Sequence, residues 1–221
     1  MTGDPTRHSQ ALDAEIITDP NLRARQEALN GLKQFDLVIR MVETFVESER
    51  QPFKFRHSHL LSLHREGLAG ISGYAGNWRP SDIEIRGSKH KPPAAWEVPE
   101  RIDELCDYVN EKWNEKSPIH LASYVMWRLN WIHPFTDGNG RTSRAASYMI
   151  LCVKLGYVLP GKDTIPEQIA VDRTPYYKAL EAADDAWEQG KIDLTAMKNL
   201  LSAMLAKQLY EIHAESQFGE D

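Results

Sequence analysis

The chain has 221 residues, with 26 Lys and Arg against 32 Asp and Glu for a net charge of −6. This length fits one domain, with two small ones as the alternative, and is enough to bury a substantial core. The acidic balance argues against broad nucleic-acid or membrane-surface binding, which a basic face favours.

Residues 1–18 are polar and unpatterned and read as a loose lead-in. Asp19-Pro20 then looks like a helix cap followed by proline at the first helical position. From there Leu29, Leu32, Phe35, Ile39, Val42 and Val46 recur at three and four, which predicts an amphipathic helix to about residue 48. RQPFKF breaks it, and a second helix is expected over 57–69. In the segment GNWRPSDIEIRGSKHKPPAAW, Ile83 and Ile85 alternate with polar residues and Gly87-Ser88 allows a turn. Pro92-Pro93 prevents a regular partner strand, so the reading is a small, distorted β-hairpin. Helices resume at 98–115, 118–131, 141–155 (stopped by Gly156), 173–188 and 193–214. With no internal repeat, one helical domain carrying an inserted hairpin fits best.

Cys106 and Cys152 lie in apolar, helical-looking stretches without pairing or ligand spacing, and read as buried free thiols in a reducing compartment. No basic-then-apolar segment suggests export. The longest uncharged apolar stretch, around AASYMILCV, is too short to cross a bilayer. The expected location is cytoplasmic.

The unusual stretch is IHPFTDGNGRTSR, residues 132–144. The helix before it is apolar nearly all round, so the loop starts from a buried, rigid support. Gly138 and Gly140 flank Asn139, and such residues tolerate left-handed backbone angles that turn successive N–H groups inward as an anion nest. The next helix adds its free N–H groups and positive dipole end. Arg141 and Arg144 sit on one face of that first turn, where cations oppose the dipole unless an anion is shared there. A polyphosphate is the natural anion. Asp137 supplies the oxygen ligand a hard ion such as Mg2+ takes alongside phosphate. His133 is the nearby group able to accept a proton near neutral pH. Together they form a phosphoryl- or nucleotidyl-transfer kit. Taken singly, each has a plainer structural use, such as turn chemistry at Asn139-Gly140 or a core ion pair for either arginine.

HPFTDGNGRTSR resembles the signature of the Fic-domain family, with every defined position present. LHREGLAGISGYAGNWR, including Tyr74, Ala75, Gly76 and Arg79, resembles the segment before that family's flap, and IEIRGSKHKPP resembles the flap. SPIHLASYVMWRLNWIHPF and TPYYKALEAADDAW are also similar to family segments, so most of residues 50–190 is covered. The resemblance implies a mainly α Fic fold, a bundle of about eight helices with a small inserted β-hairpin flap. Residues 1–48 would be the lead-in and a helix packed on a catalytic domain at 49–221.

The implied activity is a protein adenylyltransferase that moves AMP from Mg-ATP to a Ser, Thr or Tyr hydroxyl and releases pyrophosphate. Under it His133 is the base and Asp137 holds Mg2+. Asn139, with the backbone of Gly138 and Gly140, holds phosphate oxygens. Arg144 grips the terminal phosphate, Arg141 organises the loop or the β-phosphate, and Phe135 plugs the core. The flap residues Ile83, Ile85 and Gly87 would dock an extended target by main-chain pairing, with packing under the hairpin as the equal alternative for the two isoleucines. Tyr176 and Tyr177 are candidates for the nucleotide pocket wall. The related Doc toxins, which phosphorylate, carry lysine at the position of Gly140, so this chain favours AMP transfer. Phosphocholine transfer shares the signature and stays open, as does a nucleotide-binding protein with little turnover. The family's inhibitory string Ser/Thr-x-x-x-Glu-Gly/Asn is matched by Ser62–Gly67, but in the wrong helix. Glu27 in the first helix lacks the flanking residues, since Arg23 and Ala28 stand there. Self-inhibition is therefore not expected, and an antitoxin-like partner or a homodimer stays open.

Overall fold

Asp19 caps the first helix through its carboxylate, accepting the N–H groups of Asn21 and Leu22 at 2.9 and 2.8 Å. That helix, α1, spans Pro20–Glu47 in a computed structural model that describes residues 9–10, 15–47 and 52–218. The apolar stripe turns inward only in part, with Val42 fully buried and Ile39 half-buried. Leu29 and Leu32 are 53% and 68% exposed, and Phe35 and Val46 are also exposed. The buried face carries Asn30, Gln34, Val38 and Val42. The reason lies in α2, His57–Leu68, whose C-terminal carbonyls need donors. Asn30 Nδ2 donates to Ala69 O at 2.8 Å, and Gln34 Nε2 donates to Leu63 O at 2.8 Å. Polar side chains thus occupy the inner face because backbone acceptors meet them there.

After α2 comes β2, Glu84–Ile85. Its ladder partner is not the following arm of a hairpin but β1, Ser9–Gln10, antiparallel with Ser9 opposite Ile85. Glu15 also bridges Ser72, and Ile16 N–H donates to Ile71 O at 2.9 Å. Part of the expected loose lead-in is therefore held against the domain, while residues 1–8 and 11–14 lie outside the described residues. Beyond Gly87, at φ 73°, the chain turns and runs through Pro92 and Pro93, which have no N–H to offer a ladder.

A 3₁₀ turn, Ala95–Glu97, leads into α3, Val98–Glu111. The core is built on α4, Pro118–Ile132, and α5, Asn139–Leu155, joined by the loop 133–138. Ser117 caps α4 by accepting the His120 N–H at 3.2 Å. Leu121, Val125, Met126, Leu129 and Ile132 of α4 are buried against Ala146, Met149, Ile150 and Cys152 of α5. Each such large aliphatic side chain contributes roughly 1.5–3 kcal/mol over exposure. Helices α1 and α2 pack on α5, and α3 packs on α4. Helices α7, Thr174–Glu188, and α8, Thr195–Phe218, cover α4. Between α5 and α7 lies a short helix the periodicity does not reveal, α6, Ile165–Val171. Its start is fixed by Glu167, whose Oε2 accepts the Thr164 N–H at 2.9 Å and hydroxyl at 2.7 Å. Among the described residues the fold is mainly α and eight helices long, as expected.

Candidate active site

The loop after α4 is pinned from several sides. His133 ends the helix in the left-handed region at φ 50°, an uncommon state for a residue with a Cβ. Its carbonyl accepts Arg79 Nε at 2.9 Å, and Arg79 N–H donates to Pro134 O at 2.9 Å. The same buried guanidinium reaches Ser81 O at 3.0 Å and also Pro93 O, tying the flap base to the loop. Asn139 closes the loop on itself. Its Oδ1 accepts the Phe135 N–H at 2.9 Å and its Nδ2 donates to Phe135 O at 2.8 Å. That side chain is spent on the backbone, so what Asn139 offers an anion is its main chain.

Phe135 is fully buried, stacked on His64 with ring centroids 3.7 Å apart. His64 Nδ1 accepts the Gly76 N–H at 2.9 Å, which places the proton on Nε2, the donor to Asp137 O at 3.0 Å. Burial lowers the His64 pKa to about 4, so the ring is neutral. Gly138 completes the turn at φ 75°, and a Cβ there would lie 2.4 Å from Leu68 Cδ2. The first helical hydrogen bond of α5 is Thr142 N–H to Gly138 O at 2.9 Å. The amides of Asn139, Gly140 and Arg141 precede it, at the positive end of the helix.

Above this turn lies a cleft of about 1110 Å³. His133, Asp137, Gly138, Asn139, Gly140, Arg141 and Arg144 all line it. His133 Nδ1 faces Asn130 O at 3.1 Å and acts as donor, leaving the Nε2 lone pair free to accept. Burial lowers its pKa to about 4. Arg144 has no ion pair among the described residues. Burial lowers its pKa, Tyr176 opposes that, and the neighbouring charges of Arg173 and Arg141 add to it. Arg141, Arg144 and Arg173 thus share one cleft, which Arg23 and Arg86 also line. Asp137 Oδ1 accepts the Gly138 N–H at 2.6 Å, and Oδ2 accepts Arg23 Nη2 at 2.8 Å. Asp137 is a single carboxylate on the cleft wall, the kind of oxygen donor a hard divalent ion held mostly by water and phosphate would take, and here Arg23 occupies its Oδ2.

The flap residues separate. Ile83 and Ile85 are both buried, but only Ile85 lines the cleft, and Gly87 forms the turn beyond it. Tyr176 and Tyr177 both line the cleft, with the Tyr176 hydroxyl accepting Asn130 Nδ2 at 2.7 Å. Ser62, Glu66 and Gly67 do not line it, whereas Glu27 does, 3.5 Å from Arg141 Nη2. Sequence reasoning did not find Glu15, Arg23, His64, His90 or Asp184 as neighbours of this site. Histidine spacing carried no sign of the Phe135 stack, and Arg23 stands more than a hundred positions from its partner Asp137.

The Fic/DOC family profile matches residues 54–151. A Drosophila willistoni protein named protein adenylyltransferase Fic is 28% identical over 158 residues, 71% of this chain and 29% of that protein. One of the same name from Nematostella vectensis is 32% identical over 129 residues, 57% and 28% of the two chains. The chain therefore spans less than a third of the length of these curated relatives. A Fic domain-containing signalling protein from Bacteroides thetaiotaomicron superposes with a TM-score of 0.70 at 20% identity, covering 93% of this chain and 77% of that one. Fic-1 from C. elegans gives 0.67 at 23% identity, covering 91% and 55%. These likenesses establish the fold, and with the profile and the curated relatives they lead to one conclusion: residues 54–151 match the Fic/DOC family, on a fold shared with solved Fic proteins.

Proposed function

We propose that this protein is an adenylyltransferase that moves AMP from Mg-ATP to a Ser, Thr or Tyr hydroxyl of a target protein and releases pyrophosphate. One observation carries the reading. A neutral His133, whose Nδ1 faces Asn130 O and leaves Nε2 to accept, shares a cleft with the N-terminal amides of α5, the carboxylate of Asp137 and Arg144, which has no ion pair among the described residues. A protein that only bound nucleotide would have no use for a buried base held in that tautomer.

In this mechanism the target hydroxyl donates its proton to His133 Nε2 as its oxygen forms a bond to the α-phosphorus. The bond from that phosphorus to the bridging oxygen breaks, and pyrophosphate carries the electron pair away. The amides of Asn139, Gly140 and Arg141 stabilise charge on the phosphate oxygens, and Arg144 holds the terminal phosphate so that the leaving group lies in line. Asp137 holds Mg2+, which neutralises phosphate charge when bound. Tyr177 and Leu180, on the cleft wall, supply apolar surface for the nucleoside. The flap edge at β2 docks the target backbone, a position that β1 occupies in this structure.

The test is incubation with ATP labelled at the α-phosphate in a cell lysate, followed by intact-mass analysis of labelled proteins. Wild type should transfer a mass equal to AMP, and His133→Ala should lose the activity by at least about a hundredfold, the usual scale for a general base. Equal labelling by both proteins would remove His133 from the mechanism. Nucleotide binding without covalent transfer by either would replace the enzyme with a binding protein.

A further inference from the structure

The first turn of α1 delivers a cation to the very oxygen that the proposed Mg2+ needs. Arg23 meets three carboxylates with three of its nitrogen atoms. Nη2 donates to Asp137 Oδ2 at 2.8 Å, Nη1 to Glu15 Oε1 at 2.7 Å, and Nε to Glu27 Oε1 at 3.2 Å. The other oxygen of Asp137 is taken by the Gly138 N–H. Glu27 in turn lies 3.5 Å from Arg141, which is 3.9 Å from Asp137 Oδ2. Three negative groups and two guanidiniums therefore form one interlocked cluster on the wall of the cleft.

From this geometry we infer that Arg23 is a resident competitor of the divalent ion for Asp137 and so sets the protein's metal affinity. The inference rests on the reading of Asp137 as a metal ligand. A guanidinium hydrogen-bonded to Oδ2 fills the lone-pair direction that a Mg2+ about 2.1 Å away would use, and the two cations repel. Metal entry requires Arg23 to leave Asp137. Glu15 and Glu27 give it somewhere to go, because both already bind its other nitrogens and can retain the charge after the Asp137 contact breaks. The exchange is local to one side chain and needs no displacement of the helix. Its consequence is a protein that binds metal and nucleotide less tightly than the bare site would allow.

The experiment measures coupling rather than turnover. Calorimetry with α,β-methylene-ATP, whose α–β bridge cannot be cleaved by AMP transfer, gives its affinity at saturating Mg2+ and in EDTA, and the ratio is the gain due to metal. Wild type, Arg23→Gln, Arg23→Lys, Asp137→Asn and Arg25→Gln are compared, after each is checked for a cooperative thermal transition. Arg25 is an exposed cation two residues from Arg23 and controls for the loss of charge alone. Arg23→Gln should raise the metal-dependent gain about three- to fivefold, the upper end of what a partly exposed ion pair contributes. Arg23→Lys should restore the wild-type value, and Arg25→Gln should leave it within about twofold. Asp137→Asn should remove the gain. If Asp137→Asn lowers the gain but Arg23→Gln does not raise it, the competitor role is wrong while the site reading stands. If Asp137→Asn changes nothing, the metal reading fails and the inference fails with it. An equal rise in Arg23→Gln and Arg25→Gln would reduce the effect to general electrostatics and also overturn it.

Discussion

Arg144 and Asn139 show how differently two polar residues of one motif are used. Asn139 turns its amide onto the Phe135 backbone and is structural, although it stands at the centre of the loop. Arg144 holds a charge in a desolvated wall with no ion pair among the described residues, an arrangement that costs free energy unless an anion arrives. Arg144→Ala should therefore weaken ATP binding roughly ten- to hundredfold, the worth of about 1.5–3 kcal/mol for a charge-assisted contact. The melting temperature should hold or rise slightly, because a half-buried charge with no ion pair among the described residues is removed. Calorimetry with ATP beside thermal unfolding separates the two. A lower melting temperature with unchanged ATP affinity would contradict the role. The motif order made Arg144 visible in the sequence. The fate of Asn139 was not visible, because its choice between backbone and ligand depends on where Phe135 is anchored.

At the scale of elements, the junction of loop and α5 carries the tightest constraint. Gly138 sits at φ 75°, and a side chain there would meet Leu68 of α2. Gly138→Ala should cost about 2–4 kcal/mol, from left-handed backbone strain and overpacking together. Urea unfolding measures it, and a loss below about 0.5 kcal/mol would show that α2 can yield. The stretch 132–144 announced this junction, since Gly-Asn-Gly ahead of a helix has few other uses. The inward face of α1 gave no such signal. Its apolar stripe pointed one way in the sequence, and the carbonyls of α2 drew Asn30 and Gln34 in the other direction. The flap strand likewise took a partner from residues 9–10, a pairing that no local pattern encodes.

At the scale of the molecule, two histidines held neutral by burial make stability depend on pH. His64 and His133 have folded pKa values near 4 against an ordinary 6.5. The unfolded chain takes protons that the folded one refuses, so the stabilisation is complete above about 6.5 and is lost as pH falls toward 4. His59 and His120, also shifted downward by burial, act in the same direction. Chemical denaturation should find the protein less stable at pH 5 than at pH 7 by about 2 kcal/mol for each of the two site histidines. In His133→Ala that difference should shrink by about half. A stability unchanged between the two pH values would mean that these rings accept protons without unfolding. Among the described residues no helix is long and apolar enough to cross a membrane, and the two cysteines are buried and free, as their surroundings in the sequence suggested.

The amino-acid order by itself determined the helical class, most helix positions and the residues gathered in the loop. Periodicity, caps and turn chemistry act over a few neighbouring positions, and the chemical character of the motif is contained in its residue types. Tertiary structure alone decided that Arg23 and Glu27 reach the cleft, that His64 carries Phe135, that Arg79 ties the flap base to His133, and that Asn30 and Gln34 join Val38 and Val42 on the inner face of α1. Each of these is a contact between segments distant along the chain, settled by which donors and acceptors burial leaves facing one another.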